Sequence, residues 1–442
     1  MWLLKESGSG EGKLNRRSKM FQLKQHDTTV KQELAAGVTG FFTIVYIIAV
    51  NSLILSEAGI PLEGAMLGTI LTSFVGCFIM GIWANAPILV VPGMGINAMF
   101  TYTLVQSMGL SWQEALGATV ISGLIFALIS FTSLTTIISN GIPGILKEAI
   151  NIGIGLFLML IGLEKGHLVE RGDLSIISLG NLSDPNVIAT ILTLIIALIL
   201  FIRNVKGNFL WTILIGTGIA FLFGVLPSGT NDSLSLEGYS EVFGSFSLEH
   251  WASFPFLIAV FSVTIVVIFE NIGLISGHMK LANHPEKFKK AFQANGISVM
   301  LSGIFGSSPT VSTAESTAAI AAGGRTGLTA ITTGFLFLGV TFFIPYMNMV
   351  PSNAIAPVLI IIGGLMVQNI RNLDLHDLTE SFPAIFIMIM IPFTYSIADG
   401  IAIGFIFYAI LKLTTGKAKR VSVTLYIIAC LFLLNFIFQF VS

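Results

Sequence analysis

Apolar runs close to twenty residues long recur from residue 34 to the end of the chain. A helix of about twenty apolar residues crosses the ~30 Å hydrocarbon layer of a bilayer. The composition agrees, with 54% hydrophobic residues, only 10% charged ones and a mean hydropathy of +0.89. No soluble domain hides that much apolar surface, so the chain reads as an all-α polytopic membrane protein whose medium is the lipid bilayer. A net charge of −1 gives no reason to expect a nucleic-acid partner.

Fourteen spans are expected near 34–56, 63–83, 87–107, 113–134, 146–163, 186–202, 208–226, 252–276, 288–305, 308–322, 327–349, 353–370, 382–396 and 397–413. A further apolar segment, 421–441, either crosses or lies along the surface. Residues 1–33 are expected to form a cytoplasmic tail; its stretch 1–27 is polar and basic, with no apolar core of signal-peptide length, and reads as disordered, with Met20 as an alternative start. Cys77 and Cys430 lie in apolar runs without CxxC spacing and read as reduced packing residues.

Loop charge sets the sidedness. With the N-terminus inside the plasma membrane, 20 of the 22 Lys and Arg residues fall on the inner side, and only Lys165 and Arg171 fall outside. The loop 227–251 carries four acids and no Lys or Arg, as an outer loop should. Merging 382–413 into one span would move Lys412, Lys417, Lys419 and Arg420 outside, so the split is kept.

"GIWANAP", ending at Pro87, is echoed by "GIFGSSP", ending at Pro309, an offset of 222 residues. Seven spans per half is an odd number, so the halves must be inverted relative to each other. After each echo comes an extended stretch, "PILVVP" and "PTVSTAES", then a helix from about Gly95 and about Ala314. Unwound backbone at membrane depth survives only inside protein or beside a wet cavity. The two segments are therefore expected to pair as a small sheet, in spans 3 and 10, and to aim helix N-termini and free N–H groups at one cavity. A packing kink is the competing reading of any Gly or Pro in a span, and it is preferred for Pro357 and Gly363. Gly93, Gly95 and Ala98, with Glu114 beyond, imitate a dinucleotide fingerprint, but the flanking apolar runs leave no room for a βαβ domain.

Three acids stand out inside spans: Glu270, Glu315 and Asp399. An intramembrane carboxylate costs roughly 2.5–3.5 kcal/mol on insertion scales and is by default a functional candidate. Glu315 follows the second break and Glu270 sits in "VVIFENIGLISG", so both read as ligand-facing, whereas Asp399 reads as a helix cap. Asn97, just past the first break, reads as a ligand contact or an interhelical hydrogen bond. All six histidines fall in tails, loops or span ends, so any transported proton must ride on a carboxylate, Glu270 or Glu315. No metal site and no cofactor are expected, and no enzyme constellation or G-x-x-x-x-G-K-[ST] loop is present. Two acids repel an anion, and an amine would not need backbone donors. A neutral flat heterocycle carrying both N–H donors and C=O or N acceptors suits both, as a nucleobase does.

The residues carry a resemblance. "PGMGINAMFTYT", "SSPTVSTAESTAAIAAGGRTGLTA" and "PFTYSIADGIAIGF" resemble the azaguanine-type (AzgA-like) branch of the nucleobase–cation symporters, permeases for hypoxanthine, guanine and adenine, over about residues 30–440. The opening "TTVKQELAAGVTGFFTIVYIIAVN" is similar too. The resemblance implies a 7+7 inverted repeat with a core domain (34–134 and 252–349, spans 1–4 and 8–11) and a gate domain (146–226 and 353–413, spans 5–7 and 12–14). It implies substrate–proton symport with Asn97, Glu270 and Glu315 as purine-binding residues. Met94, Gly95 and Thr313 beside the breaks join them as candidate contacts. A homodimer is an open assembly. The branch often has Asp-Thr-Ile-Gly in span 8 where this chain has Glu270-Asn271-Ile272-Gly273, and Glu is typical of the uracil and xanthine branch, so the preferred base stays open. A same-fold carrier of uracil, xanthine or an inorganic anion is the alternative.

Overall fold

The computed structural model of the chain describes residues 21–132, 134–135, 141–172, 175–227, 239–347 and 349–441. Residues 1–20 of the expected tail, Met20 included, and Asp232 and Glu237 of the long acidic loop lie outside them. Residues 21–33 depart from the expected tail: Phe21 and Leu23 are buried against Leu328, and the first helix already begins at Val30.

The described residues make the fourteen expected crossings. Nine helices are long and apolar enough to cross unaided, and they supply spans 1, 2, 4, 5, 6, 8, 11, 12 and 14. Spans 7, 9 and 13 are the shorter helices Asn208–Leu222, Phe288–Ile304 and Leu378–Thr394. Spans 3 and 10 are broken. Span 1 bends between Val30–Ile44 and Ile47–Ser56, which puts a turn at Val45–Tyr46. The split after span 13 is real: Tyr395 takes a left-handed conformation (φ 55°) and a new helix, Ile397–Thr414, begins. Its N-cap is Ser396, whose side chain accepts from the Asp399 N–H; Asp399 sits in the first turn and is not the cap. An acid there still suits the positive end of the helix.

The two breaks meet. Strand β1 (Val90–Pro92) pairs antiparallel with strand β4 (Thr310–Ser312), Val91 opposite Val311. A second small pair, β2 (Val169–Glu170) and β3 (Ser178–Leu179), lies in the loop after span 5. The β-branched residues suit the pleat, and Pro92 closes its strand where no N–H is required. The echoed glycines explain themselves. A Cβ on Gly81 of span 2 would lie 2.6 Å from the Gly327 carbonyl oxygen at the start of span 11; one on Gly303 of span 9 would lie 2.8 Å from the Leu116 oxygen in span 4. Spans 2 and 11 thus touch as spans 9 and 4 do, one seam being the inverted copy of the other.

Packing sorts the helices into two groups. Spans 4 and 9, 1 and 11, 2 and 11, and 4 and 8 pack within one group; spans 5 and 12, 13 and 14, 5 and 13, 6 and 7, and 7 and 12 pack within the other. The groups meet more sparsely, through spans 1 and 7, 3 and 5, and 3 and 14. This is the core-and-gate layout of a 7+7 inverted repeat. Loop contacts respect the charge-derived sides. His26, Asn85, His284, Lys287 and Arg325 gather with Glu33 on what we call the N-terminal face. Glu57, Glu114, Lys165 and His250 are on the opposite face.

Glu33 shows what fastens the N-terminal face. It is fully buried and accepts from the Arg325 N–H (2.9 Å), the Thr326 N–H (3.2 Å) and the Thr329 hydroxyl (2.6 Å). Glu33→Ala strips the acceptor from three buried donors and is expected to cost on the order of 3 kcal/mol or more. Heating the detergent-solubilised protein checks this: the melting temperature should fall by several degrees, with Glu33→Gln recovering part of the loss. An unchanged transition would refute the clamp.

The C-terminal helix Val423–Val441 has 19 residues, about 28 Å at helical rise. The Ser422 hydroxyl bonds the Gly141 carbonyl near the N-terminal face. Further along, Phe432 packs edge-on against Phe405 of span 14 and Phe261 of span 8. Phe261 is seven residues from the start of span 8 on the opposite face. The helix therefore runs from the N-terminal face alongside spans 8 and 14, the placement expected of a fifteenth crossing. A reporter fused behind it should be silent on the side where an N-terminal reporter is active; activity of both on one side would disprove the crossing.

Candidate functional site

A cavity of about 430 Å³ lies where the two helix groups meet, a size suited to a small-molecule ligand. The core group supplies Tyr46 from the turn in span 1, Met94 and Gly95 after the first break, Glu270 and Gly273 from span 8, and Thr313 and Glu315 after the second break. The gate group supplies Glu148 and Asn151 from span 5, Phe209 from span 7, and Asn369 and Asn372 at the end of span 12. These gate residues lie at the ends of their helices on the N-terminal face, so the cavity opens there.

Broken backbone at this depth needs partners, and most of them are inside the protein. The Leu89 N–H donates to the Ser316 hydroxyl (3.0 Å), the Ser312 N–H to Asn271 Oδ1 (2.9 Å), the Gly93 N–H to the Pro309 carbonyl (3.1 Å) and the Thr313 N–H to the Leu89 carbonyl (3.2 Å). The strands themselves therefore offer few free donors, contrary to expectation. Donors left for a ligand belong to the first helical turns, from Met94 and around Glu315, where no carbonyl four residues back is available. The second helix starts at Ser316, two residues later than expected, and lasts only to Ala321.

Of the six candidate residues, Met94, Gly95, Glu270, Thr313 and Glu315 line this one cavity. Asn97 does not. It is fully buried one turn behind Met94, with its Nδ2 at 3.8 Å from the Met94 sulfur and its Oδ1 without a partner among the described residues. Glu315 accepts a short hydrogen bond, 2.5 Å, from the Tyr46 hydroxyl, and the Tyr46 ring stands edge-on to Phe209 across the interface. Glu270 is different: its Oε2 is enclosed and has no hydrogen-bond partner among the described residues. A carboxylate oxygen in that state calls for a donor, either a ligand N–H or a proton.

Asn271, beside Glu270 in sequence, faces away from the cavity and braces strand β4. His278 corrects a further expectation. Span 8 runs to Leu281, past the expected end at 276, so His278 is buried inside the helix, with Nδ1 at 2.8 Å from the Ser312 hydroxyl. It supports the strand from behind and does not line the cavity.

Sequence reasoning missed Tyr46, Phe209, Glu148, Asn151, Asn369 and Asn372. The last four carried a signal, since Glu148 with Asn151 and Asn369 with Asn372 are polar pairs three residues apart, hence on one helix face. Tyr46 and Phe209 carried none, because an aromatic in an apolar run packs in most cases.

Across residues 31–403 the chain matches the model of the Permease family denoted Xan_ur_permease. The chain belongs to that family. It is 50% identical over 384 residues, 86% of this chain and 77% of the other, to the nucleobase transporter PlAzg2 of Paenibacillus larvae. It is 36% identical over 437 residues, covering 94% and 99%, to the guanine/hypoxanthine permease PbuO of Bacillus subtilis. It is 35% identical over 441 residues, 97% of each, to the adenine permease AdeP of Escherichia coli. The fold is shared more widely. The transmembrane domain of the cyanobacterial bicarbonate transporter BicA superposes with a TM-score of 0.62 at 16% identity, over 83% of this chain and 96% of that one. The chain is thus a multi-pass membrane permease of the nucleobase permease family and not an enzyme.

Proposed function

We propose that the permease imports purine nucleobases, hypoxanthine and guanine first and adenine as a further candidate, by proton symport across the plasma membrane. The observation that carries this reading is the charge of the cavity wall. Three carboxyl side chains, Glu148, Glu270 and Glu315, line it, and no Lys, Arg or His does among the described residues. Such a wall repels a free anion, which separates this site from the anion carriers that share the fold. Backbone donors of the first helical turns and the amides of Asn151, Asn369 and Asn372 match purine acceptors, while Glu270 and Glu315 accept from ring N–H groups. The names of the relatives agree in class.

In this reading the basic N-terminal face is cytoplasmic and the cavity is open inward. Core (34–134 and 252–349) and gate (146–226 and 353–413) then slide or rock against each other around the bound base. Gly95 marks the sliding surface, since a Cβ there would sit 2.5 Å from Ile154 of the gate. The free oxygen of Glu270 is the station for the coupled proton. Asn97 comes into contact only when the Met94 side chain turns aside.

Labelled hypoxanthine uptake in cells lacking their own purine permeases tests this directly. Uptake should appear with the chain, collapse with a proton uncoupler, and be blocked by excess guanine or adenine but not by sulfate. Competition by uracil or xanthine alone would move the substrate to the second reading, to which Glu270 in place of Asp lends support.

A further inference from the structure

On the face opposite the cavity mouth, a second polar cluster bridges core and gate. Glu57 follows span 1 and Tyr102 lies in span 3, both core; Glu164 and Lys165 end span 5, and Tyr395 joins spans 13 and 14, all gate. The Lys165 ammonium pairs with Glu57 Oε1, and the Tyr102 hydroxyl donates to Glu57 Oε2 at 2.8 Å. The Tyr395 hydroxyl donates to Glu164, which turns the Tyr395 ring toward the core. There the rings of Tyr102, Phe157 and Tyr395 pack edge-on with centroids 5.2 to 6.2 Å apart. The Ile397 N–H adds a bond to the Thr103 hydroxyl at 3.1 Å.

Lys165 is one of the two basic residues that break the charge rule of the loops, and the transport site makes no use of it. Its ion pair is half in water, with side chains 14% and 38% exposed, while Tyr102 is 6% exposed. Aromatic rings exclude water and seal; a partly wet ion pair fixes alignment and parts at little cost, because each charge is hydrated on release. A shift of the core along the gate would break the ion pair and slide the rings apart together, so the cluster has one aligned arrangement.

We propose that this cluster is the gate that shuts the cavity on the opposite face, and that the Glu57–Lys165 pair is its latch. The proposal rests on the alternating-access reading above. Cutting the latch shifts the population toward the state open on the opposite face.

Site accessibility tests it without any transport. Thr313→Cys is placed in a Cys430→Ser background, which leaves only the buried Cys77, and a membrane-impermeant maleimide is applied to vesicles presenting the opposite face. The parent should label slowly. Glu57→Gln and Lys165→Gln should each speed labelling by up to ~5-fold, and the reversal Glu57→Lys with Lys165→Glu should restore the slow rate. From the N-terminal face the single variants should label more slowly than the parent. Unchanged rates at both faces, in variants that still label from the N-terminal face, overturn the proposal. If those variants do not fold, Tyr102→Phe decides, since it removes one hydroxyl only: faster labelling from the opposite face supports the latch and an unchanged rate overturns it. Absent purine uptake with these accessibility changes intact would sink the substrate reading and leave the gate standing.

Discussion

Replacing Glu270 by Gln is expected to reduce concentrative purine uptake by about 100-fold. The substitution keeps size and shape and removes the charge. Among the described residues Glu270 Oε2 has no partner, so in the proposed cycle its hydrogen bonds go to substrate or to a proton. A hydrogen bond to a charged group in a dry site contributes roughly 1.5–3 kcal/mol, or about 10- to 150-fold in binding. In the proposed symport, losing the coupled proton as well would remove accumulation against a gradient, which binding alone does not restore. Exchange of labelled base across vesicles without a gradient should therefore survive better than uptake in cells. Glu315→Gln should reduce binding by a similar amount and leave the fold intact, because the Tyr46 hydroxyl can still donate to the amide oxygen. Tyr46→Phe should cost less, about 10-fold, since it keeps the carboxylate and leaves one charged oxygen without its donor. Full concentrative uptake by Glu270→Gln would remove that residue from the mechanism. Equal losses of exchange and uptake would assign it to binding alone.

What the sequence made legible was local. Hydropathy marks the spans, Lys and Arg mark the sides, and Pro with Gly mark the breaks, because each is a property of a short window. The pairing of "PILVVP" with "PTVSTAES" was also legible, since two broken segments at matching places in inverted halves have only each other to bond. Which way a side chain turns was not. Asn271 stands next to Glu270 in the chain yet faces the strand, because successive helical residues are about 100° apart. His278 looked like a span end because Gly277 and Lys280 dilute the hydropathy there, while buried packing carries the helix to Leu281. The gate-side wall was hidden for a related reason. Glu148, Asn369 and Asn372 sit at helix ends, where polar residues ordinarily meet water, and only the approach of the core turns them into a cavity wall. The role of Lys165 needed the partner Glu57, more than a hundred positions away in the chain.

Glycine-to-alanine changes at the two matched seams should be among the most damaging small substitutions in the molecule. A Cβ at Gly327 would lie 2.0 Å from the Gly81 carbonyl oxygen, and one at Gly123 would lie 2.2 Å from the Met300 nitrogen. Both collisions are with backbone, which no rotamer change relieves, so spans 2 and 11, or 4 and 9, must separate. Overpacking of this kind costs about 1–3 kcal/mol or more, against a gain of up to ~1 kcal/mol in helix propensity. Gly339 and Gly364 make the control, because a Cβ at either meets nothing within 4 Å. There the propensity gain stands alone, and Gly→Ala should leave melting in detergent unchanged or raise it, while Gly123→Ala and Gly327→Ala lower it by several degrees and reduce folded yield. The damage should reach the site as well. Span 2 leads directly into β1 and span 9 into β4, so a seam forced open on either side moves one strand relative to its partner and changes the distance between Met94 and Thr313 across the cavity. Any protein of these variants that does fold should bind purine more weakly than its melting temperature alone would suggest. If the seam variants melt and bind like the Gly339 and Gly364 controls, the close contacts are relieved by motions that cost little, and the inverted-repeat seams do not set the geometry of the site.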